Sequence, residues 1–225
     1  MKSNNMQTIP KTIIRFPEIE LRTRDAHKLR GYFGNLFKEK SELLHNHMGN
    51  GEFRFQYPKV QYKVIDRTPL LVGVKEGAEL LPELFLKIKE LDIDGKKYPV
   101  HQKNIESGSF EIGVTDASCT YEFQTLWMAL NQSNHEKYQD REALARQQLL
   151  ERIVTGNCLS FFKDMGLWVD DQIHVKGSFK EKSTRFKNNR MLAFEGVITT
   201  NVVLPDYIGL GKAVSRGFGT IKQIS

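Results

Sequence analysis

The apolar positions in the first half of the chain follow two different spacings. An approximate alternation over 13–21 predicts a strand, and Pro17 within it indicates a position at a sheet edge. Asp25 then precedes apolar residues that recur every three to four positions, which predicts a capped helix with one buried face. The pattern is completed by strands over 52–64 and 68–74, a helix over 77–91 and a strand over 97–114.

The second half repeats this pattern in an altered form. A strand begins near residue 119, and a long helix is predicted over 134–165, where Gly156 is expected to introduce a kink. After two more strands, Pro205 opens a short connection where a second helix would normally stand. Those two strands are predicted over 172–181 and 190–203.

Both halves therefore predict one fold class, α+β. We expect two tandem ferredoxin-like (RRM-like) βαββαβ domains, the second lacking most of its last helix and ending in a glycine-rich loop. A polar stretch over 115–118 predicts the boundary, which gives domains 1–115 and 116–225.

The C-terminal loop holds four glycines within residues 209–219, arranged as two Gly-x-Gly steps. Glycine lets a ligand approach the main chain closely, and successive free N–H groups in such a loop bind anions. Lys212 and Arg216 add positive charge between the two steps. We therefore predict a phosphate-binding loop in which Gly211 and Gly217 approach the ligand. Alanine at Gly217 is then expected to weaken binding at almost unchanged melting temperature.

The order of residues in this loop argues against the common mononucleotide loops. A P-loop closes with Gly-Lys-Ser/Thr before a helix, whereas Gly211-Lys212 opens this loop and a strand-like run ends it. A Rossmann fingerprint has another spacing and lies early in a βαβ unit. The pattern instead resembles the glycine-rich loop of the RAMP superfamily. Within it, the pattern is most similar to the CRISPR-associated endoribonucleases that cut precursor CRISPR RNA at its repeats, and the duplicated ferredoxin-like layout is the fold this resemblance implies.

Composition adds bounds on location and partners. The chain carries 33 basic and 27 acidic residues, a net charge of +6, which is compatible with an RNA partner. Its apolar runs are too short to span a bilayer and its N-terminus has no signal-peptide core, so we expect a cytoplasmic protein with no membrane partner. Cys119 and Cys158 lack C-x-x-C spacing, which predicts reduced thiols packed as small apolar side chains.

His45 and His47 are the main candidates for catalysis. Cleavage of RNA without a metal needs a base for the 2′-hydroxyl and an acid for the leaving 5′-oxygen. Imidazole has an ordinary pKa of about 6.5, so two histidines can hold opposite protonation states at neutral pH. A His-x-His pair can also bind zinc, but only His101 is a remote candidate for a third ligand. We predict no metal and no cofactor.

The family resemblance implies further roles near this pair. The general acid/base histidine of the family follows the first helix of the N-terminal domain, where His45 stands, and a subgroup from type I-B systems places two histidines at this spacing. Tyr32 or Tyr57 matches the supporting tyrosine of some members. The lysine that some members carry six residues after the histidine is absent, since residue 51 is glycine, and Arg54 or Lys59 is the candidate replacement.

The most basic stretch of the chain lies between residues 176 and 190, where six cations accompany one acid. It is predicted to form a hairpin that holds an RNA stem by its phosphates. A solvated turn is the alternative, because charge runs commonly lie on solvent-exposed faces. The cations are Lys176, Lys180, Lys182, Arg185, Lys187 and Arg190.

Together these features predict a metal-independent endoribonuclease that cleaves CRISPR repeat RNA by 2′-hydroxyl attack. Its products would be a 2′,3′-cyclic phosphate and a 5′-hydroxyl. One alternative is a non-catalytic RNA-binding RAMP subunit of a CRISPR effector complex, and a second is an unrelated ferredoxin-like small-molecule enzyme or regulator. Other effector subunits and a second copy of the chain are further candidate partners.

Overall fold

The computed structural model describes residues 6–36, 56–186 and 189–225. The chain forms two compact units. The N-terminal unit comprises Thr8–Phe110 together with Val214–Gly217. The C-terminal unit comprises Met6 and Gln7, Glu111–Ala213 and Phe218–Ser225. A short segment close to the C-terminus therefore belongs to the N-terminal unit.

The N-terminal unit has the strand and helix order of a ferredoxin-like domain with one additional hairpin. Its elements are β1 (Met6–Arg15), α1 (Ala26–Leu36), β2 (Val60–Ile65), β3 (Thr68–Val74), α2 (Glu76–Phe85), β4 (Glu90–Ile93), β5 (Lys96–Pro99) and the first part of β6 (Asn104–Phe123). The sheet order is β2-β3-β1-β6, and β4 pairs with β5 separately. Beside β1, Thr12 Oγ1 lies 2.9 Å from Ser107 Oγ of β6.

The core of this unit lies between the sheet and its two helices. Leu29 and Phe33 are one helical turn apart on α1, and both are completely buried. The Phe33 ring stacks on Tyr62 of β2 at a centroid distance of 5.8 Å. Strand β2 is buried along its whole length although it stands at one end of the sheet order.

The C-terminal unit keeps the same strand order without a second helix after its central strands. Its elements are the second part of β6, α3 (Gln132–Gln139), α4 (Ala143–Asp164), β7 (Val175–Phe186), β8 (Asn189–Val203) and β9 (Ile221–Gln223). The sheet order is β9-β6-β8-β7, with antiparallel pairing throughout.

Tyr121 fixes the centre of this sheet. Its side chain is completely buried, and its hydroxyl donates to the Val202 carbonyl oxygen at 3.1 Å. The same hydroxyl accepts from the Leu204 N–H at 2.9 Å, where the chain leaves β8. Burial raises the pKa of the Tyr121 hydroxyl, so the group stays protonated and can donate.

The predicted α+β class is confirmed, while several element boundaries differ from the prediction. The helix expected over 134–165 is two helices, because residues 140–142 separate α3 from α4, and Gly156 lies inside α4 without interrupting it. The last residues of the helix expected over 77–91 instead start the β4–β5 hairpin. The polar residues 115–118 lie within β6, where its register with β8 shifts. The predicted domain limits remain a prediction.

Replacing Tyr121 by phenylalanine is expected to lower the free energy of unfolding by about 1–3 kcal/mol, because the Leu204 N–H loses its buried acceptor. Tyr98→Phe is a matched control, since Tyr98 is only half-buried and its ring contact with Lys96 survives the change. Urea denaturation measures both variants. Equal midpoints would contradict the role given to the Tyr121 hydroxyl.

Candidate functional site

The glycine-rich segment forms a short hairpin-like closure in the C-terminal unit. Gly209 and Thr220 make an isolated antiparallel bridge, and the Leu210 N–H donates to the Gly219 carbonyl at 2.8 Å. Further along, the Ile221 N–H donates to the Ile208 carbonyl at 3.0 Å. The two Gly-x-Gly steps therefore pair with each other at the base of the loop.

Several main-chain N–H groups of this segment bind protein acceptors. The Lys212 N–H donates to the Met128 carbonyl at 3.1 Å, and the Gly219 N–H donates to the Leu126 carbonyl at 2.9 Å. The Thr220 N–H donates to Thr125 Oγ1 at 2.9 Å. The expectation of a run of free N–H groups is wrong at these positions, because the backbone hydrogen bonds hold the loop on its own unit.

Two of the loop glycines, Gly211 and Gly219, also pack closely against other protein atoms. Gly211 has a φ of +85°, and a Cβ there would lie 2.6 Å from Trp127 Nε1. Gly219 has a φ of +63°, and a Cβ there would overlap the Leu210 carbonyl oxygen. Both positions require glycine for backbone conformation and for packing. Contact of Gly211 with a ligand stays a prediction.

Gly217 is the point at which the segment reaches the N-terminal unit. Its φ is +90°, and a Cβ there would lie 2.8 Å from Ala26 Cβ of α1 and 3.1 Å from the Tyr62 carbonyl oxygen of β2. The preceding residues Val214–Arg216 form a 3₁₀ turn that is closed by the Gly217 N–H donating to the Val214 carbonyl at 3.1 Å. The segment therefore lies directly against α1 and β2.

This approach places Arg216 beside Arg30, a residue that the sequence patterns did not single out. Arg30 lies one turn beyond Ala26 on α1 and is half-buried. Burial lowers the pKa of the Arg30 guanidinium, and the nearby positive charge of Arg216 lowers that pKa further. The Tyr62 hydroxyl opposes these two effects. The charges of these two half-buried arginines therefore interact within the N-terminal unit.

The predicted basic hairpin is confirmed as β7 and β8, but its cations lie on two faces. Lys180 and Lys182 share one face with Glu195, whose carboxylate lies 3.8 Å and 3.1 Å from their respective ammonium groups. Arg185 and Arg190 are directly opposite each other near the turn, on the other face of the hairpin. Arg190 Nε donates to Ser183 Oγ at 2.8 Å on that face.

An aromatic contact joins the end of this hairpin to the glycine-rich segment. The ring of Phe186, next to Arg185, meets the ring of Phe218 edge-on at a centroid distance of 6.0 Å. Both residues belong to the C-terminal unit. Lys212, also in this unit, is exposed, and partial burial lowers the pKa of its ammonium group. The hairpin end and the loop therefore form one partly cationic region.

The remaining predicted site residues divide into two groups. Tyr32 on α1 donates its hydroxyl to the Glu90 carbonyl at 2.7 Å, and burial raises the pKa of that hydroxyl, as do Glu90 and Asp92. Tyr57 is half-buried just before β2. Four predicted residues lie outside the described parts of the chain: His45, His47, Arg54 and Lys187.

Two properties of the described residues bear on metals and membranes. Among residues 6–36, 56–186 and 189–225, no three His, Cys, Asp or Glu side chains converge as a metal site would require. In those same parts of the chain, none of the helices is both long enough and apolar enough to cross a bilayer.

Comparison with known proteins agrees with this architecture. The antiparallel α+β units of the chain match the tandem ferredoxin-like domains of RAMP-like proteins of the Cas6 type. Family models described as the Cas6b N-terminal domain and the Cas6b C-terminal domain match residues 7–111 and 113–224. The chain belongs to the Cas6b family, which confirms the resemblance inferred from the sequence.

Individual relatives show how much of the chain this likeness covers. A crystal structure of Cas6b is 36% identical, with a TM-score of 0.90 over 97% of this chain and 100% of that chain. A solved CRISPR RNA processing endoribonuclease Cas6b is 32% identical, with a TM-score of 0.79 over the same shares. An uncharacterized protein of Methanocaldococcus jannaschii is 30% identical over 143 residues, which are 63% of this chain and 97% of that protein.

Alanine at Gly217 is expected to lower the free energy of unfolding by about 1 kcal/mol or more, because it imposes a positive φ on a side chain and a clash with Ala26. This replaces the sequence-based expectation of an unchanged melting temperature. Gly31→Ala is the matched control, since Gly31 lies inside α1 with nothing within 4 Å of a Cβ placed there, and it is expected to stabilise the protein by up to about 1 kcal/mol. Thermal melts compare the two. A Gly217→Ala protein as stable as the wild type would refute the packing role.

Proposed function

We propose that this protein is an endoribonuclease that matures CRISPR RNA by cleaving its repeats. The observation that carries the proposal is the likeness over 97% of the chain, at 32% identity, to a solved CRISPR RNA processing endoribonuclease Cas6b. The cationic groups at the β7–β8 turn and beside Gly217 support an RNA partner, because phosphate contacts supply most of the affinity for nucleic acid.

The proposed chemistry uses the histidine pair. One imidazole of His45 and His47 removes the proton of the 2′-hydroxyl, and the resulting oxygen attacks the adjacent phosphorus. The bond from phosphorus to the 5′-oxygen breaks, and the other histidine, as imidazolium, protonates that oxygen. A 2′,3′-cyclic phosphate and a 5′-hydroxyl result, without a metal in any step. The support is positional, since both histidines belong to the chain that joins α1 to β2.

The cations of the β7–β8 hairpin differ in the charges that lie next to them. Arg185 and Arg190 stand opposite each other, and like charges in directly opposed positions destabilise an isolated hairpin. A bound phosphate would offset that repulsion. Lys180 and Lys182 already share the carboxylate of Glu195, so each offers less to a polyanion. The turn arginines are therefore the principal RNA contacts that we assign to this hairpin.

Alanine at His45 or His47 is expected to reduce the single-turnover cleavage rate of repeat RNA by ~10²–10⁴-fold, the usual contribution of one general acid or base. RNA affinity should change little, and wild-type cleavage should be the same in EDTA. His27→Ala is the control, because this exposed imidazole contacts the Arg24 carbonyl at the start of α1. Near wild-type cleavage by the double alanine variant would exclude the histidine mechanism. RNA binding without any cleavage by the wild type would favour the non-catalytic subunit instead.

Replacing Arg185 and Arg190 together by glutamine is expected to reduce the slope of log affinity against log salt by roughly 0.7–0.9 for each phosphate that the protein no longer holds. The matched variant is Lys180→Gln with Lys182→Gln, which removes the same charge from the other face and should reduce the slope less, since both ammonium groups already share the Glu195 carboxylate in the wild type. Filter binding over a salt series measures both. Equal slopes for the two pairs would contradict the assignment to the turn arginines.

A further inference from the structure

We propose that Arg30 and Arg216 form a clamp in the N-terminal unit that binds a single phosphate group of the RNA. This inference rests on the proposed function, from which the RNA ligand comes. It adds a binding residue, Arg30, and gives Arg216 a defined partner. The ligand chemistry is a phosphodiester, which two guanidinium groups can contact through their paired N–H donors.

The close approach of the chain at Gly217 provides the geometry. A Cβ at Gly217 would lie 2.8 Å from Ala26 Cβ, 3.1 Å from the Tyr62 carbonyl oxygen and 3.6 Å from Lys63 Cα. Arg216 immediately precedes this contact. Arg30 follows Ala26 by four residues, so Arg30 and Ala26 occupy the same face of α1. The contact therefore places the backbone next to Arg216 against the face of α1 that carries Arg30, and the charges of the two arginines interact.

The electrostatics of this location favour an anion. Arginine does not lose its proton in proteins, so burial and repulsion at Arg30 raise the energy of the charged pair and leave its charge in place. Both effects lower the pKa of Arg30, burial being the larger, while the Tyr62 hydroxyl acts in the opposite direction. A phosphate between the two groups would relieve the repulsion and form charge-assisted hydrogen bonds with each.

The position of the clamp in the chain connects it to the proposed chemistry. Arg30 lies on α1 and Tyr62 on β2, the two elements joined by the chain that contains His45 and His47. Arg30 is six residues from the end of α1, about 9 Å along the helix axis at ~1.5 Å per residue. The clamp therefore stands on the elements from which the proposed catalytic segment leaves and to which it returns. We assign it a positioning role on the RNA backbone.

Binding measurements with a double-mutant cycle test the clamp. The probe is repeat RNA carrying 2′-O-methyl groups throughout, which lacks the attacking hydroxyl and stays intact. Arg30→Gln and Arg216→Gln are each expected to weaken binding on the order of tenfold, and the double variant to reduce the salt slope by about 0.7 for the one phosphate that it no longer holds. The double variant should lose less than the product of the two single effects, because both groups hold one phosphate. Fully multiplicative losses would mean two separate contacts and would overturn the clamp.

Three controls test whether the loss of affinity comes from the clamp, from a general loss of positive charge or from a loss of protein stability. Arg67→Gln removes an exposed guanidinium of the same unit, paired with Glu20, and should leave affinity unchanged. Arg30→Lys should keep the salt slope while losing part of the affinity, since the charge stays and the paired donors are removed. Without RNA, Arg30→Gln should melt near the wild-type temperature, because burial disfavours the charge that it removes. A marked fall in that temperature would make Arg30 a structural residue and reject the proposal.

The outcomes also distinguish the clamp from the proposed function. If the wild type binds repeat RNA without cutting unmodified RNA, the endoribonuclease proposal fails while the binding cycle still tests the clamp. If the wild type binds and cuts while Arg30→Gln and Arg216→Gln behave like Arg67→Gln, only the clamp fails. A wild type that does not bind RNA refutes both.

Discussion

The close contact at Gly217 is the constraint on which the candidate site depends. A Cβ at Gly217 would lie 3.1 Å from the Tyr62 carbonyl oxygen, and the backbone φ of this residue is +90°. Glycine alone combines this close approach with that backbone conformation at low cost. That contact lies against β2, which stands at one end of the sheet order. It also determines where the residue before it, Arg216, can reach.

The region around this contact contains cationic side chains that are buried or half-buried, which is unusual for a protein interior. Burial lowers the pKa of Lys63 on β2 to about 7, so its ammonium group titrates near neutral pH. On the neighbouring helix α1, Arg30 is held partly dehydrated near a second guanidinium. Groups whose charge is disfavoured by their surroundings concentrate at functional sites, because the stability that they cost is recovered when a ligand binds. Packing gives this unit its fold, and the cationic groups beside Gly217 are the residues to which we assign RNA contact.

Local patterns in the sequence were sufficient for the features that depend on regular spacing. The Leu29 and Phe33 spacing predicted the buried face of α1, and the two strands of the basic hairpin were predicted, although the first runs over Val175–Phe186 and not over 172–181. Features that depend on pairing between distant residues were not accessible. The pairing of Lys180 and Lys182 with Glu195 requires the register of β7 with β8, which charge counts do not reveal.

The same reasoning explains what was missed at the candidate site. Arg30 looked like any solvated cation on a helix, because nothing in its neighbourhood along the chain indicates a second arginine beside it. Gly217 was identified as a residue of interest, but the sequence alone does not distinguish a glycine needed for ligand approach from a glycine needed for packing. The first residues of β4 were included in a predicted helix because Leu91 also fits the apolar spacing of α2. Only tertiary contacts separate these cases.

The return of Val214–Gly217 to the N-terminal unit has a consequence for how the protein forms during synthesis. The strand that this segment contacts, β2, leaves the ribosome about 150 residues before the segment itself. Through that interval the nascent N-terminal unit lacks this contact on a strand that stands at one end of the sheet order. Completion of the first unit must therefore wait for the last residues of the second. A premature stop that removes only the final dozen residues would leave both units unfinished.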